Sequence, residues 1–163
     1  MTGVQGVDKA ACGRQRNIPH LLIISTPMQS TLRGVRLENV RRIAHIASLF
    51  QQAGHVVIVA TISPLVAQRE LARSIVGAGF LETFISAPAE LCSQRDPKGM
   101  YAQARLGKIA QFTGVSAPYE VPGNPDLVID TSHCRVESAV ATIVLRLRKD
   151  VRSAAVKGGR RQL

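Results

Sequence analysis

Two hydrophobic periodicities alternate along the chain, and their order predicts an α/β fold. Apolar residues three and four positions apart in residues 38–52 are typical of an amphipathic helix, and Gly54 is placed to end it. Residues 55–61 form a mainly β-branched, apolar run, which is expected of a central parallel strand covered on both faces. The predicted helices are 38–52, 65–76 and 136–147, and the predicted strands are 55–61, 81–86 and 126–130.

Alternating strands and helices favour three layers, with a parallel sheet between helices on both faces. Ligands of such sheets bind beyond the carboxyl ends of the strands. Ile62, Ser63 and Pro64 directly follow the 55–61 strand, so we expect the Ser63 hydroxyl to lie in a cleft there. A second interpretation makes Ser63 the N-cap and Pro64 the first residue of the next helix. The two interpretations are compatible.

Length and composition are those of one globular domain, with 163 residues of which 45% are hydrophobic and 20% are charged. The longest apolar run, residues 56–62, is far shorter than the roughly 18 residues that cross a bilayer. We therefore expect a cytoplasmic protein with no membrane partner. The three cysteines have neither a metal-like spacing nor an even count, which favours reduced thiols.

The formal net charge of +10 favours anionic partners such as nucleotides, nucleic acid or acidic protein surfaces, without choosing among them. Part of this charge lies in two aperiodic ends. We predict a leader at residues 1–35, in which 20–25 could form one strand, and a basic flexible tail at 150–163. Binding of nucleic acid is the least favoured interpretation, because no basic stripe is interleaved with aromatic residues.

Four sequence blocks follow one another between residues 36 and 149. They are RLENVRR from Arg36, ISP with its trailing Arg69, the group Cys92, Gln94, Arg95 and Asp96, and RDPKGMYAQARLGKIAQFTGVSAPYE at residues 95–120. Together they resemble the adenylyl-sulfate kinases. Residues 95–120 resemble the lid of that family and are called the lid segment below.

The resemblance implies a P-loop-type kinase domain at residues 36–149. It also implies a reaction, in which the γ-phosphoryl group of ATP passes, with Mg²⁺, to the ribose 3'-hydroxyl of adenylyl sulfate. The product would be 3'-phosphoadenylyl sulfate, made in sulfate assimilation. The expected partners are adenylyl sulfate and either a second copy of the chain, as a homodimer, or a sulfate adenylyltransferase.

The resemblance also assigns substrate contacts to the first two blocks. Arg36 is expected to present its planar, charged fork to the phosphosulfate oxygens, with Asn39 as its amide partner. The alternative for Arg36 is a solvated charge at a helix start. Ile62 and Ser63 are expected at the substrate as well. Ser63 is commonly designated a phosphoserine intermediate in this family, and a direct transfer between the two nucleotides fits the motif equally.

Phe112 and Lys98 are the expected ligand contacts of the lid segment. Phe112 is expected to stack on the substrate adenine, and Lys98 to offset phosphate charge. The alternative for Phe112 is a ring packed into the core. Arg95 is assigned more weakly to the adenine of ATP by a cation–π contact, with an ion pair to Asp96 or Glu90 as its alternative.

Two elements of the family are missing from this sequence. The pattern GxxxxGK[ST], which holds ATP phosphates and Mg²⁺, does not occur, because Lys108 follows Gly107 but precedes Ile109. The family's DGDNxR element is also missing, and residues 1–35 match nothing in it. We therefore expect either an amino-terminal truncation or a leader that supplies a different first strand. Besides the kinase, we consider an inactive remnant or a binding-only domain that keeps the adenylyl sulfate pocket. A smaller departure is Gln111, which stands where glycine or asparagine is usual.

Overall fold

A computed structural model describes residues 21–25, 33–109 and 111–158. Strands and helices alternate through these residues, as the periodicity predicts. A short 3-10 turn at Gly77–Gly79 follows the second helix. The strands are β1 (Leu21–Ser25), β2 (Val56–Ala60), β3 (Thr83–Ser86) and β4 (Leu127–Asp130), and the helices are α1 (Arg33–Gln52), α2 (Val66–Val76), α3 (Ala89–Arg95), α4 (Met100–Arg105) and α5 (Val136–Gly158).

All four strands pair in parallel, which confirms the α/β class. β1 pairs with β2 from Leu21 opposite Val56 onwards, and β3 pairs with β4 from Thr83 opposite Leu127 onwards. Within the described residues these are two separate pairs, not one continuous sheet. The prediction that β2 is covered on both faces is wrong for these residues, because all of its side chains are half-buried or exposed and Val59 is 39% exposed.

The core against α1 is formed by the predicted helical stripe. Val40, Ile43, Ala44 and Ala47 are all buried where the helix packs on α2 and β2. Phe50, which continues the stripe, is 40% exposed, and its ring meets that of His55 edge-on at 5.5 Å. The helix ends where predicted, because Gly54 adopts a positive φ of 87° that disfavours side-chain-bearing residues.

Two predicted boundaries need correction: α1 begins at Arg33 instead of residue 38, and α5 extends beyond residue 147. The lid segment contains the end of α3 and all of α4, which are joined by a turn over residues 96–99. The Asp96 carboxylate closes this turn by accepting the Ala102 amide at 3.1 Å. Helix α5 continues to Gly158, so the predicted flexible tail is helical from residue 150 to that point. None of the helices formed by the described residues combines the length and apolar character that a bilayer span requires.

A chain of ion pairs joins α2 to the sheet pair β3–β4. Arg69 and Arg73, one helical turn apart, both pair with Glu82 just before β3, at 2.9 and 3.3 Å. Arg73 also pairs with Asp126 just before β4, at 2.9 Å, and Asp126 accepts the Glu82 amide at 2.8 Å. Arg146 of α5 donates to the Asp126 carbonyl at 3.1 Å. These contacts hold strands β3 and β4 against helices α2 and α5.

Asp126 makes this chain of contacts sensitive to acid. Burial would raise the pKa of Asp126, but the Glu82 amide and the Arg73 guanidinium lower that pKa overall. A carboxyl whose folded-state pKa is depressed stabilises the fold above its unfolded pKa, and the gain disappears as the pH falls through the folded value. We predict that Asp126→Asn lowers the free energy of unfolding by about 1–2 kcal/mol at neutral pH.

Urea unfolding at pH 7 and at about pH 3 measures this contribution. The difference between wild type and Asp126→Asn should shrink at the lower pH. Asp150→Asn is the matched control, because its pair with Arg146 is an exposed surface pair at 3.0 Å that contributes about 0.5 kcal/mol or less. Equal losses in the two variants would contradict the prediction.

Candidate functional site

A cleft of about 150 Å³ opens beyond the carboxyl end of β2. Three parts of the chain form its walls: the first turns of α1, the turn after β2 together with the first turn of α2, and the part of the lid segment that follows residue 110. This is the edge where the parallel-strand rule places ligands. The lining residues are Arg36, Pro64, Leu65, Gln68, Gln111, Ser116, Ala117 and Pro118.

The turn after β2 holds Ser63 in an unusual backbone conformation. Its φ is +37°, in the left-handed region that residues other than glycine seldom adopt. Its Oγ lies 2.8 Å from Thr61 Oγ1, and its carbonyl accepts Arg69 Nη1 at 2.8 Å. The N-cap interpretation is wrong, because α2 begins at Val66 with Leu65 as its N-cap. Strain of this kind tends to occur at functional sites.

The end of the lid segment is fastened to this turn by Glu120. The Glu120 amide donates to the Pro64 carbonyl at 2.8 Å, and its carboxylate accepts the Val66 amide at 2.6 Å. A carboxylate there also faces the positive end of the α2 dipole. The Glu120 carbonyl accepts Arg69 Nη2 at 2.7 Å. Contacts of both backbone and side chain therefore close the cleft on this side.

Arg36 lies opposite the turn, on the first turn of α1. Its Nη2 donates to the Gln111 carbonyl at 3.1 Å, so the guanidinium links α1 to the lid segment. Asn39, three residues further along α1, is exposed, and Ile62 is half-buried beside Ser63. Of the predicted residues of the first two blocks, Arg36 lines the cleft and Ser63 directly precedes the lining residue Pro64, whereas Asn39 and Ile62 are not among the lining residues.

Phe112 is placed differently from the prediction. Its side chain is 6% exposed and belongs to a core cluster with Ala87, Cys92, Tyr101 and Ala104. Its ring meets that of Tyr101 edge-on at 5.0 Å. Burial in this cluster is the main cause that raises the pKa of Tyr101 to about 12. The alternative of a ring packed into the core is what the structure shows.

Lys98 and Arg95 do not line the cleft. Lys98 is exposed in the turn between α3 and α4. Arg95 donates to the Thr131 carbonyl at 2.9 Å, and so ties α3 to the loop after β4. The ion pair with Asp96 or Glu90 that was the alternative for Arg95 does not form between these described residues.

Among the residues that line the cleft, the sequence assigns a ligand contact to Arg36 alone, and it also misses the role of Glu120 beside the cleft. Gln68 is 1% exposed, lines the cleft, and its Oε1 accepts the Leu65 amide at 3.3 Å. In the sequence, Glu120 stands out only as the end of the lid segment. Gln68 and Glu120 both contact residues 64–66, at the turn that leads into α2. Those contacts form only in the folded turn, and no local pattern in the sequence signals them.

The residues around the cleft do not fit Mg²⁺. Over the ranges that the structure describes, no three His, Cys, Asp or Glu side chains come together as metal ligands. The polar residues that line the cleft are Arg36, Gln68, Gln111 and Ser116, none of which carries the carboxylate that Mg²⁺ prefers. We therefore derive no step through a metal ion.

Parallel strands, intervening helices and a cleft at the strand ends define an α/β domain with a candidate ligand site beyond β2. The family model described as adenylylsulphate kinase matches residues 28–130. The adenylyl-sulfate kinase of Paraburkholderia xenovorans is 52% identical over 112 residues, which cover 69% of this chain and 63% of that protein. The adenylyl-sulfate kinase of Marinobacter nauticus is 44% identical over 115 residues, which cover 70% of this chain and 58% of that protein.

A solved structure agrees with these relatives. It is described as the Mycobacterium tuberculosis APS kinase CysC in complex with AMPPNP and APS, and it is 36% identical with a TM-score of 0.72 over 80% of each chain. This chain therefore belongs to the adenylylsulphate kinase family. It spans about three fifths of the length of the two curated relatives.

Gln111, which stands where glycine or asparagine is usual in the family, has a strained backbone conformation. Its φ of +51° lies in the left-handed region, which costs a side-chain-bearing residue about 1–2 kcal/mol. We predict that Gln111→Gly raises the free energy of unfolding by about 0.5–1 kcal/mol, since relief of strain exceeds the added chain entropy. Gln103→Gly within α4 is the control and should lower it by about 1 kcal/mol. Urea unfolding measures both, and a loss of stability in Gln111→Gly would refute the prediction.

Proposed function

We propose that the chain acts in the adenylyl-sulfate kinase reaction, in which ATP and adenylyl sulfate give ADP and 3'-phosphoadenylyl sulfate. The main support is the cleft between Arg36 and the turn at residues 64–65, which lies within the residues that match the family model. We assign adenylyl sulfate to this cleft and ATP to the role of phosphoryl donor. The proposed setting is sulfate assimilation in the cytoplasm.

Arg36 is proposed to bind the phosphosulfate group. In the structure its Nη2 donates to the neutral carbonyl of Gln111 at 3.1 Å. A hydrogen bond from a guanidinium to an anionic oxygen is roughly twice as strong as one between neutral groups, so a phosphosulfate oxygen would compete well with that carbonyl. Asn39 lies on the same helix and is exposed, where its amide could bond a neighbouring oxygen.

Ser63 is proposed to contact the substrate, with Ile62 beside it. Its carbonyl is held by Arg69 and its hydroxyl by Thr61, so both groups have fixed positions before a ligand binds. The partner of the hydroxyl is another hydroxyl, which is a poor general base at neutral pH. For this reason we favour direct transfer between the two nucleotides over a phosphoserine intermediate.

The lid residues take part only after the lid segment moves. Lys98 could offset phosphate charge if the turn at residues 96–99 swings towards the cleft. Phe112 would have to leave the Tyr101 cluster before it could stack on adenine, so we assign it a packing role in this conformation. Arg95 would have to release the Thr131 carbonyl before its guanidinium could meet the adenine of ATP.

A second candidate function is binding of adenylyl sulfate without phosphoryl transfer. It is favoured by one observation, which is that the GxxxxGK[ST] phosphate-binding pattern does not occur among the 163 residues. Coupled measurement of ADP release, together with calorimetric titration, separates the two candidates. ADP release that depends on adenylyl sulfate supports the kinase. Binding without release supports the second candidate, and failure to bind adenylyl sulfate contradicts both.

For either candidate, we predict that Arg36→Gln weakens the affinity for adenylyl sulfate by about 10- to 100-fold. Loss of a hydrogen bond to a charged group costs about 1.5–3 kcal/mol, and each 1.4 kcal/mol is roughly tenfold. Calorimetry measures the change. The matched control is Arg42→Gln on the same helix, which removes the same charge from a side chain that is 70% exposed and paired with Glu38. Equal losses in both variants would mean that binding follows net charge and would contradict the proposal.

A further inference from the structure

Arg69 is a buried cation with partners in three separate parts of the chain. It is 9% exposed and extends from the first turns of α2. Each of its three guanidinium nitrogens meets a different oxygen: Nε lies 2.9 Å from Glu82 Oε1, Nη1 donates to the Ser63 carbonyl at 2.8 Å, and Nη2 donates to the Glu120 carbonyl at 2.7 Å. One planar group therefore joins the start of β3, the turn after β2 and the end of the lid segment.

The chemistry of this arrangement is specific to arginine. The Glu82 side chain is 15% exposed, and its carboxylate offsets the charge that burial would otherwise penalise. The guanidinium carries its donors in a rigid fork, whereas a lysine ammonium is a single point on a flexible stem. A lysine at this position could keep the ion pair with Glu82. It could not also hold two carbonyls in two other segments.

Tyr119 adds an aromatic contact to the same group. The Arg69 Cζ atom lies 5.7 Å from the centre of the Tyr119 ring, within the range of a cation–π interaction. The other neighbour of Tyr119 is the ring of Phe84 in β3, stacked at 6.1 Å. Residues 119–120 are thus held at one end of the cleft by the backbone hydrogen bonds of Glu120 and by the contacts of the Tyr119 ring with Arg69 and Phe84.

We propose that Arg69 is a positioning residue, which fixes residues 119–120 of the lid segment against the Ser63 turn and so sets the shape of the cleft for its ligand. Pro64 and Leu65 on one side of the cleft, and Ala117 and Pro118 on the other, each lie within three residues of a carbonyl that Arg69 holds. The ligand, adenylyl sulfate, rests on the proposed function above. The role of Arg69 in joining residues 119–120 to the Ser63 turn does not depend on the proposed function.

Arg73 provides a matched control for this role. It lies one turn further along α2, pairs with the same Glu82, and in addition pairs with Asp126. Its aromatic contact is with Phe80, at 4.8 Å from the ring centre, away from the cleft. Arg73→Lys therefore disturbs the same ion-pair chain without touching residues 63 or 120.

The experiment compares Arg69→Lys with Arg73→Lys in the full chain by two measurements. The first is amide hydrogen exchange at Glu120, whose N–H is held by the Pro64 carbonyl at 2.8 Å. We expect exchange at least tenfold faster in Arg69→Lys and within threefold of wild type in Arg73→Lys. The second is calorimetric affinity for adenylyl sulfate, expected to weaken at least tenfold in Arg69→Lys and less than threefold in Arg73→Lys. Thermal unfolding of both variants shows whether a change merely follows global stability.

Equal effects of the two variants on Glu120 exchange would overturn the proposal, because Arg69 would then act only through stability. Faster exchange in Arg69→Lys, with no binding of adenylyl sulfate by wild type, would support the positioning role and refute the proposed function. Tight binding by an Arg69→Lys variant whose Glu120 exchange is fast would refute the link between the two.

A second variant decides the matter if Arg69→Lys does not fold. The double variant Arg69→Met with Glu82→Gln removes the buried ion pair as a unit, so that neither partner is left as an uncompensated charge. It also removes the donors to the Ser63 and Glu120 carbonyls. We expect exchange at Glu120 that is at least tenfold faster than in wild type, and an affinity for adenylyl sulfate that is weakened about threefold or more. Unchanged exchange at Glu120 would overturn the proposal, and faster exchange with unchanged affinity would refute the link between the fastening and the ligand.

Discussion

A guanidinium buried to the extent of Arg69 needs a counter-ion and acceptors for its remaining donors, and this requirement organises the structure around the cleft. Glu82 supplies the negative charge just before β3. The carbonyls of Ser63 and Glu120 supply the acceptors. Since all three belong to different segments, satisfying one side chain fixes the relative positions of β3, the turn after β2 and the end of the lid segment. The left-handed conformation of Ser63 is held in place by the same contact.

The fold could be predicted from the sequence wherever an element is long enough to show its period. The stripe Val40, Ile43, Ala44 and Ala47 is buried as expected, and β2, β3 and β4 lie within their predicted ranges. Helices α3 and α4 have 7 and 6 residues, too few for a stripe to stand out. The burial of β2 differs from the prediction because a continuous apolar run shows only that both faces of a strand are apolar. Whether those faces are buried depends on the elements that pack against them, which the run itself does not reveal.

The sequence also predicted part of the candidate site, namely the part that lies at the end of a recognisable strand or in a motif of the family. The strand-end rule and the resemblance together brought Arg36 and the Ser63 turn to one cleft. Phe112 shows the limit, because an aromatic residue among polar neighbours has the same sequence pattern whether its ring meets a ligand or Tyr101. The contacts of Glu120 with Pro64 and Val66 join residues more than fifty positions apart, and pairing at that distance leaves no local pattern to read.

Family membership and the cleft support one central claim, that adenylyl sulfate binds between Arg36 and the turn at residues 64–65. A crystal structure of the full chain with adenylyl sulfate tests it most directly. We predict ligand density in the cleft, with Arg36 moved from the Gln111 carbonyl to a phosphosulfate oxygen and the contacts of Arg69 with Ser63 and Glu120 unchanged. An empty cleft at saturating ligand, or ligand bound elsewhere with Arg36 still on Gln111, would contradict it.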